Sequence, residues 1–150
     1  MANGKLHAAV GGTVGGGFAY ITAVQQPPPQ VVLEIIGGCF GGVVGAKAPD
    51  WVDPPTSPNH RGIGHGAIPV SVVATWYLDN LQSWQTECRV MAEDHARYRN
   101  QSQTDLERMW HGFLEMMFRL FAGFLAGLPA GYLSHIGLDV LTPKCLPVIC

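Results

Sequence analysis

Long runs without a formal charge alternate along the chain with short polar interruptions, and this alternation predicts four helices. Residues 6–24 (LHAAVGGTVGGGFAYITAV) hold no Asp, Glu, Lys or Arg. As a helix rising 1.5 Å per residue, the run spans roughly 29 Å, about the thickness of a bilayer core. QQPPPQ ends it, because consecutive prolines cannot continue a helix. A second run, residues 31–46 (VVLEIIGGCFGGVVGA), is interrupted only by Glu34. The stretch that follows, APDWVDPPTSPNHRG, is dense in Pro and Asp and is expected to be loop.

Apolar character returns at GAIPVSVVATWYL and gives way to polar residues from Asp79. Leu81, Trp84, Cys88, Met91, His95 and Tyr98 recur at three- and four-residue steps, so an amphipathic helix continues past the apolar part. NQSQ breaks it. Thr104 followed by Glu107 is a capping-box pattern that starts a new helix near Asp105. Leu106, Met109, Phe113, Met116, Leu120 and Phe124 carry this helix to about Leu141, before Thr142-Pro143, with Pro129 as a site for a kink. The expected fold is all-α. It is an up-down bundle of four helices, membrane-embedded, in a single domain over 1–150, with 79–108 protruding as a polar hairpin.

Composition sharpens this picture. The chain is 47% hydrophobic and 13% charged, where a soluble domain carries about 25% charged residues. Nine Lys+Arg against eleven Asp+Glu give a net charge of −2, which argues against electrostatic capture of nucleic acid. Membrane lipid is the expected surrounding. A homo-oligomer or protein partner would be met through 79–108. Glycines step by four along the first helix (Gly11, Gly15), the second (Gly37, Gly41, Gly45) and the last (Gly123, Gly127, Gly131). Each set lies on one helix face and permits close backbone approach, as in small-xxx-small packing in membranes. A tightly packed soluble bundle uses the same stripe; its coincidence with charge-free runs favours the membrane. The thin positive start at Lys5 and the glycine-rich run after it do not read as a cleavable signal.

An up-down path gathers particular polar residues at one end. His7 starts the first helix there. The second helix returns to the same end, delivering Asp50, Asp53, His60 and His65, and the last helix finishes there with His135 and Asp139. His135 and Asp139 are four apart and extend the Gly123–Gly127–Gly131 stripe. Mixed imidazole and carboxylate donors suit zinc, with manganese or iron as alternatives, rather than calcium. Hydrogen-bonded caps would account for the same residues singly. The cysteines (Cys39, Cys88, Cys145, Cys150) form no C-x-x-C pair, which excludes a zinc ribbon or thioredoxin motif. Spacing leaves open whether Cys145 and Cys150 pair. His95, within EDHARYR, reads as part of a solvated face.

GAKAPDWVDPPTSPNHRGIGHG and GYLSHIGLDVLTPKCLPV together resemble the two motifs of the membrane-bound, metal-dependent hydrolases, also called the LexA-binding, inner-membrane-associated hydrolase family. The first pairs a Pro-Asp loop with His-Arg-Gly-x-x-His, and the second joins His-x-x-x-Asp to Thr-Pro-Lys. The resemblance covers 7–66 and 131–148 and omits 79–108. It implies an inner-membrane, multi-pass location and Asp50, His60, His65, His135 and Asp139 as metal ligands, with His7 added. Gly66 stands where a Ser is common. Divalent metal, zinc in one or two ions, would support hydrolysis of a phosphoester or lipid-like substrate by an activated water. Arg61 would clamp a phosphate oxygen or pair with Asp50 or Asp53, and Asp53 would serve as general base. Two non-catalytic readings stand beside this one: a cluster that only ties helices together, and an assembly module built on the 79–108 hairpin.

Overall fold

Four helices carry nearly all the described residues of the computed structural model, which are 4–52, 71–72, 75–76 and 80–141. They are α1 (Gly4–Ala23), α2 (Pro28–Val52), α3 (Gln82–Gln101) and α4 (Asp105–Val140), and no strand occurs among the described residues. The bundle is all-α, as the periodicity predicts. Helices α2 and α4 are long and apolar enough to cross a membrane.

Glycine sets how closely these helices approach. α2 lies between α1 and α4. A Cβ on Gly37, Gly41 or Gly45 would strike the backbone of α4 at Leu120, Phe124 and Leu128. In return, Gly123, Gly127 and Gly131 face the backbone of α2 at Glu34, Gly38 and Gly42, while Gly11 and Gly15 of α1 meet Gly42 and Gly38. The four-residue steps on all three helices therefore mesh as ladders. Alanine at Gly41 gains about 1 kcal/mol of helix propensity, yet its methyl group has no room. Gly41→Ala is expected to destabilise by about 1–3 kcal/mol. Gly17→Ala, where a Cβ meets open space, should be neutral or slightly stabilising. Unfolding of both variants in mixed detergent micelles, followed by far-UV circular dichroism, checks the contrast.

Helix α2 runs further than the Pro- and Asp-rich sequence suggests. It passes through Pro49, which is fully buried, and Asp50 before ending at Val52. A proline removes one backbone donor and crowds the carbonyl four residues earlier, which a last turn tolerates better than a helix centre. Asp50 and Trp51 are therefore helical rather than loop residues.

α3 and α4 form the hairpin. The capping box at Thr104 is made, with Glu107 N–H donating to Thr104 Oγ1 at 3.2 Å and Thr104 N–H donating to Glu107 Oε2 at 3.3 Å. Helix α4 continues unbroken through Pro129. The inward face of α3 is Leu81, Gln85, Cys88 and Ala92, with His95 half-buried beyond them. Trp84, Met91 and Tyr98, three members of the expected stripe, are exposed. The corresponding stripe on the first half of α4, Leu106, Met109, Phe113 and Met116, also faces outward. Contact with α3 is made instead by the half-buried His111, Glu115 and Phe118, whose partners there are His95 and Arg99.

Candidate metal centre

At the end of the bundle opposite the α1–α2 turn, α1 contributes His7 and α4 contributes His135 and Asp139. Their donor atoms all lie within 4.8 Å of one another. All three are buried, with His135 wholly inaccessible. His7 Nε2 is 3.6 Å from Asp139 Oδ1, and His135 Nε2 is 3.4 Å from Asp139 Oδ2. The two imidazoles stack with centroids 3.9 Å apart and planes inclined by 22°. From the last turn of α2, Asp50 places Oδ1 3.7 Å from His135 Nε2. Three helices thus meet at one cluster.

The orientation of His135 is fixed from behind. Its Nδ1 lies 2.5 Å from the carbonyl oxygen of Ala46 on α2. With a proton on Nδ1, that nitrogen donates to the carbonyl and leaves the Nε2 lone pair facing the carboxylates. Metal-binding histidines are commonly held in this way. Two ligands bonded at 2.0–2.2 Å in a tetrahedral site sit roughly 3.3–3.6 Å apart. Each imidazole lies in that range from one of the two Asp139 oxygens, and with one donor atom per residue the three stay within 4.8 Å. The donor set therefore fits a metal ion such as zinc after a small closing-in of the side chains.

Asp50 also opens the cluster toward the outside. It joins Lys5, Lys47 and Trp51 around an open cavity of about 500 Å³. The cavity sets positive side chains beside an otherwise carboxylate-rich site. Of the residues expected from sequence, His7, Asp50, His135 and Asp139 come together. Asp53, His60, Arg61 and His65 lie outside the described residues.

Sequence reasoning did not foresee a second polar cluster, at the other end. Glu34 on α2 and Arg119 on α4 are fully buried. Arg89 from α3 grips the Glu34 carboxylate, with Nε at 3.0 and 3.1 Å and Nη2 at 2.6 Å. The same Nη2 donates to the Thr22 carbonyl at 2.9 Å. Arg119 donates to Gln26 Oε1 at 3.1 Å and lies 3.8 Å from both Glu34 and Glu93. The available signal was a lone acidic residue in one apolar run and a lone arginine in another. His95 likewise departs from expectation: its Nδ1 is 3.0 Å from His111 Nδ1, and its ring stacks on Phe118.

Glycine-meshed apolar helices, with their buried charges gathered in clusters near the two ends, define a small helical membrane protein. The chain belongs to the YdjM inner membrane protein family, whose model matches residues 1–149. This bears out the inner-membrane part of the resemblance seen in the sequence. Comparison with curated proteins and with solved structures finds no match.

Proposed function

We propose that this inner membrane protein is a multi-pass, metal-dependent hydrolase acting on a phosphoester or lipid-like substrate at the bilayer surface. The observation that carries this reading is the buried convergence of His7, His135 and Asp139, with Asp50 beside them, at one end of an apolar bundle. Isolated buried carboxylates and imidazoles are costly in such surroundings unless paired or coordinated. His7, Asp50, His135 and Asp139 would hold the ion, joined by His60 and His65 from the sequence that follows α2. A divalent ion such as zinc supplies a water acidified to near neutral pH.

The chain's own residues do the rest. The Ala46 carbonyl keeps the His135 ring in one orientation, so its Nε2 needs no reorganisation. Asp50, at the cavity wall, connects the buried cluster to the space where a substrate would sit. Lys5 and Lys47 favour an anionic group in that cavity, as a phosphoester presents. Arg61 would add a bidentate clamp on a phosphate oxygen, and Asp53 would accept a proton from the attacking water.

Metal analysis of the detergent-purified protein tests the reading, together with hydrolysis of a phosphodiester lipid in mixed micelles. Wild type is expected to hold at least one divalent ion per chain and to lose hydrolysis on chelation. Asp139→Asn, nearly isosteric, should lose most of the metal and at least a hundredfold in rate while keeping its helical content. Metal-free wild type, or hydrolysis indifferent to both chelator and Asp139→Asn, would refute the proposal.

A further inference from the structure

Two imidazoles meet across the α3–α4 hairpin, two turns from its bend. Nδ1 of His95 lies 3.0 Å from Nδ1 of His111, while the ring centroids are 5.2 Å apart and the planes are inclined by 28°. Nitrogens so much closer than their ring centres lie near the line joining those centres, so each Nδ1 points at the other. That is the geometry of an in-line N–H···N hydrogen bond rather than of face-to-face stacking. Phe118 and Tyr98 hold the rings from the sides, with centroids 5.6 Å from His95 and 5.4 Å from His111 respectively.

Such a bond limits how many protons the pair can carry. In the neutral pair one imidazole has its proton on Nδ1 and donates, and the other has its proton on Nε2 and accepts. A first added proton goes to the donor's Nε2, and the bond survives as a charge-assisted one. A second finds only the accepting Nδ1, whose lone pair makes the bond. Two N–H groups and two like charges would then face each other. The carboxylates around the pair are already engaged. Glu115 of α4 is 2.7 Å from Arg99 of α3, Asp94 pairs with Arg97, and Asp105 pairs with Arg108. Glu93 lies 3.8 Å from Arg119, and Glu107 accepts from the Thr104 N–H. From Ala8 to Ala46, α1 and α2 carry Glu34 as their single formal charge, and Arg89 and Arg119 hold it. Arg97, Asp105 and Arg108 are exposed, which places this part of the hairpin within reach of water.

We propose that His95 and His111 form a pH-sensitive clasp on the hairpin, closed while the pair carries at most one added proton and released when both imidazoles are charged. Histidines take up their charge between about pH 8 and pH 5. The released form holds one proton more than the closed form, so acid favours release, by up to about tenfold per pH unit. Leu81 and Cys88 stay packed on Ala122 and Leu125, and Arg89 keeps Glu34. The loosening is therefore confined to the last turns of α3 and the first turns of α4. The inference is independent of the metal reading.

Two measurements on the full chain in lipid nanodiscs test it. With nitrogen-15 in the histidine rings, a spin–spin coupling across the bond between the two Nδ1 atoms is expected at about pH 8 and is lost by about pH 5. The second measurement is hydrogen exchange of backbone amides 96–101, corrected for the intrinsic chemical rate. Over the same pH range wild-type protection should fall at least tenfold. In His111→Gln the amide oxygen accepts from His95 whether or not that ring is charged, and His95→Gln does the same for His111. Protection in either variant should change less than twofold. Absence of the coupling at the alkaline end, its persistence at the acid end, or an equal fall of protection in wild type and both variants overturns the proposal.

Discussion

Glu34→Ala is expected to lower stability by about 3–5 kcal/mol, the usual cost of removing one partner from a buried ion pair. The size follows from what the substitution leaves behind. Arg119 stays fully buried, with the Gln26 oxygen as its hydrogen-bond acceptor and the Glu93 carboxylate 3.8 Å away. Arg89 loses its bidentate partner but can turn outward, since its side chain is already 17% exposed. Most of the loss therefore falls on Arg119. Glu34→Gln should cost less, because the amide oxygen still accepts from Arg89. Adding Arg119→Met to Glu34→Ala should recover a large part, as the uncompensated charge is then gone. Unfolding in mixed detergent micelles measures all three. A Glu34→Ala variant within 0.5 kcal/mol of wild type would mean that the folded protein does not bury this network.

What could be read from the chain divides by the range of the interaction. The four-residue glycine steps and the Thr104–Glu107 box are local signals, and both elements form where they point. Breaks were also legible, except at Pro49, where proline and aspartate density suggested a loop. One proline costs a helix one donor, and the last turn of α2 absorbs it. Three-and-four spacing identifies a helix but not which side of it is covered. On α3, Trp84, Met91 and Tyr98 share the period of Leu81 and Cys88, yet only Leu81 and Cys88 turn inward, onto Ala122 and Leu125 of α4, with Gln85 and Ala92 buried beside them. His95 follows Cys88 and Ala92 on that inner face, which its charged neighbours concealed. Partners 55 and 85 positions apart, as Glu34 is from Arg89 and from Arg119, are invisible to any local period. The His7–His135–Asp139 cluster was legible despite similar separations because helix direction alone brings those ends together.

His135→Ala is expected to reduce bound metal below a tenth of the wild-type level and to abolish hydrolysis, while the bundle still folds. The imidazole is the hub of the cluster: it faces Asp139 and Asp50, stacks on His7, and is anchored to Ala46. Removing it deletes one donor and the contact that aligns α4 with α2. The stability cost should stay near 1–3 kcal/mol, that of an unsatisfied buried polar group, because the glycine ladders between α2 and α4 are untouched. A purely structural cluster predicts a different pattern. Wild type would then show no hydrolysis, whether or not an ion ties the helices together, and His135→Ala would lose helicity or aggregate. His60→Ala and His65→Ala extend the test to the sequence that follows α2. If both imidazoles bind the same ion, each variant should lower metal content as His135→Ala does, with almost no change in unfolding. Full metal retention in both would confine the ion to the three helices and remove His60 and His65 from the ligand set.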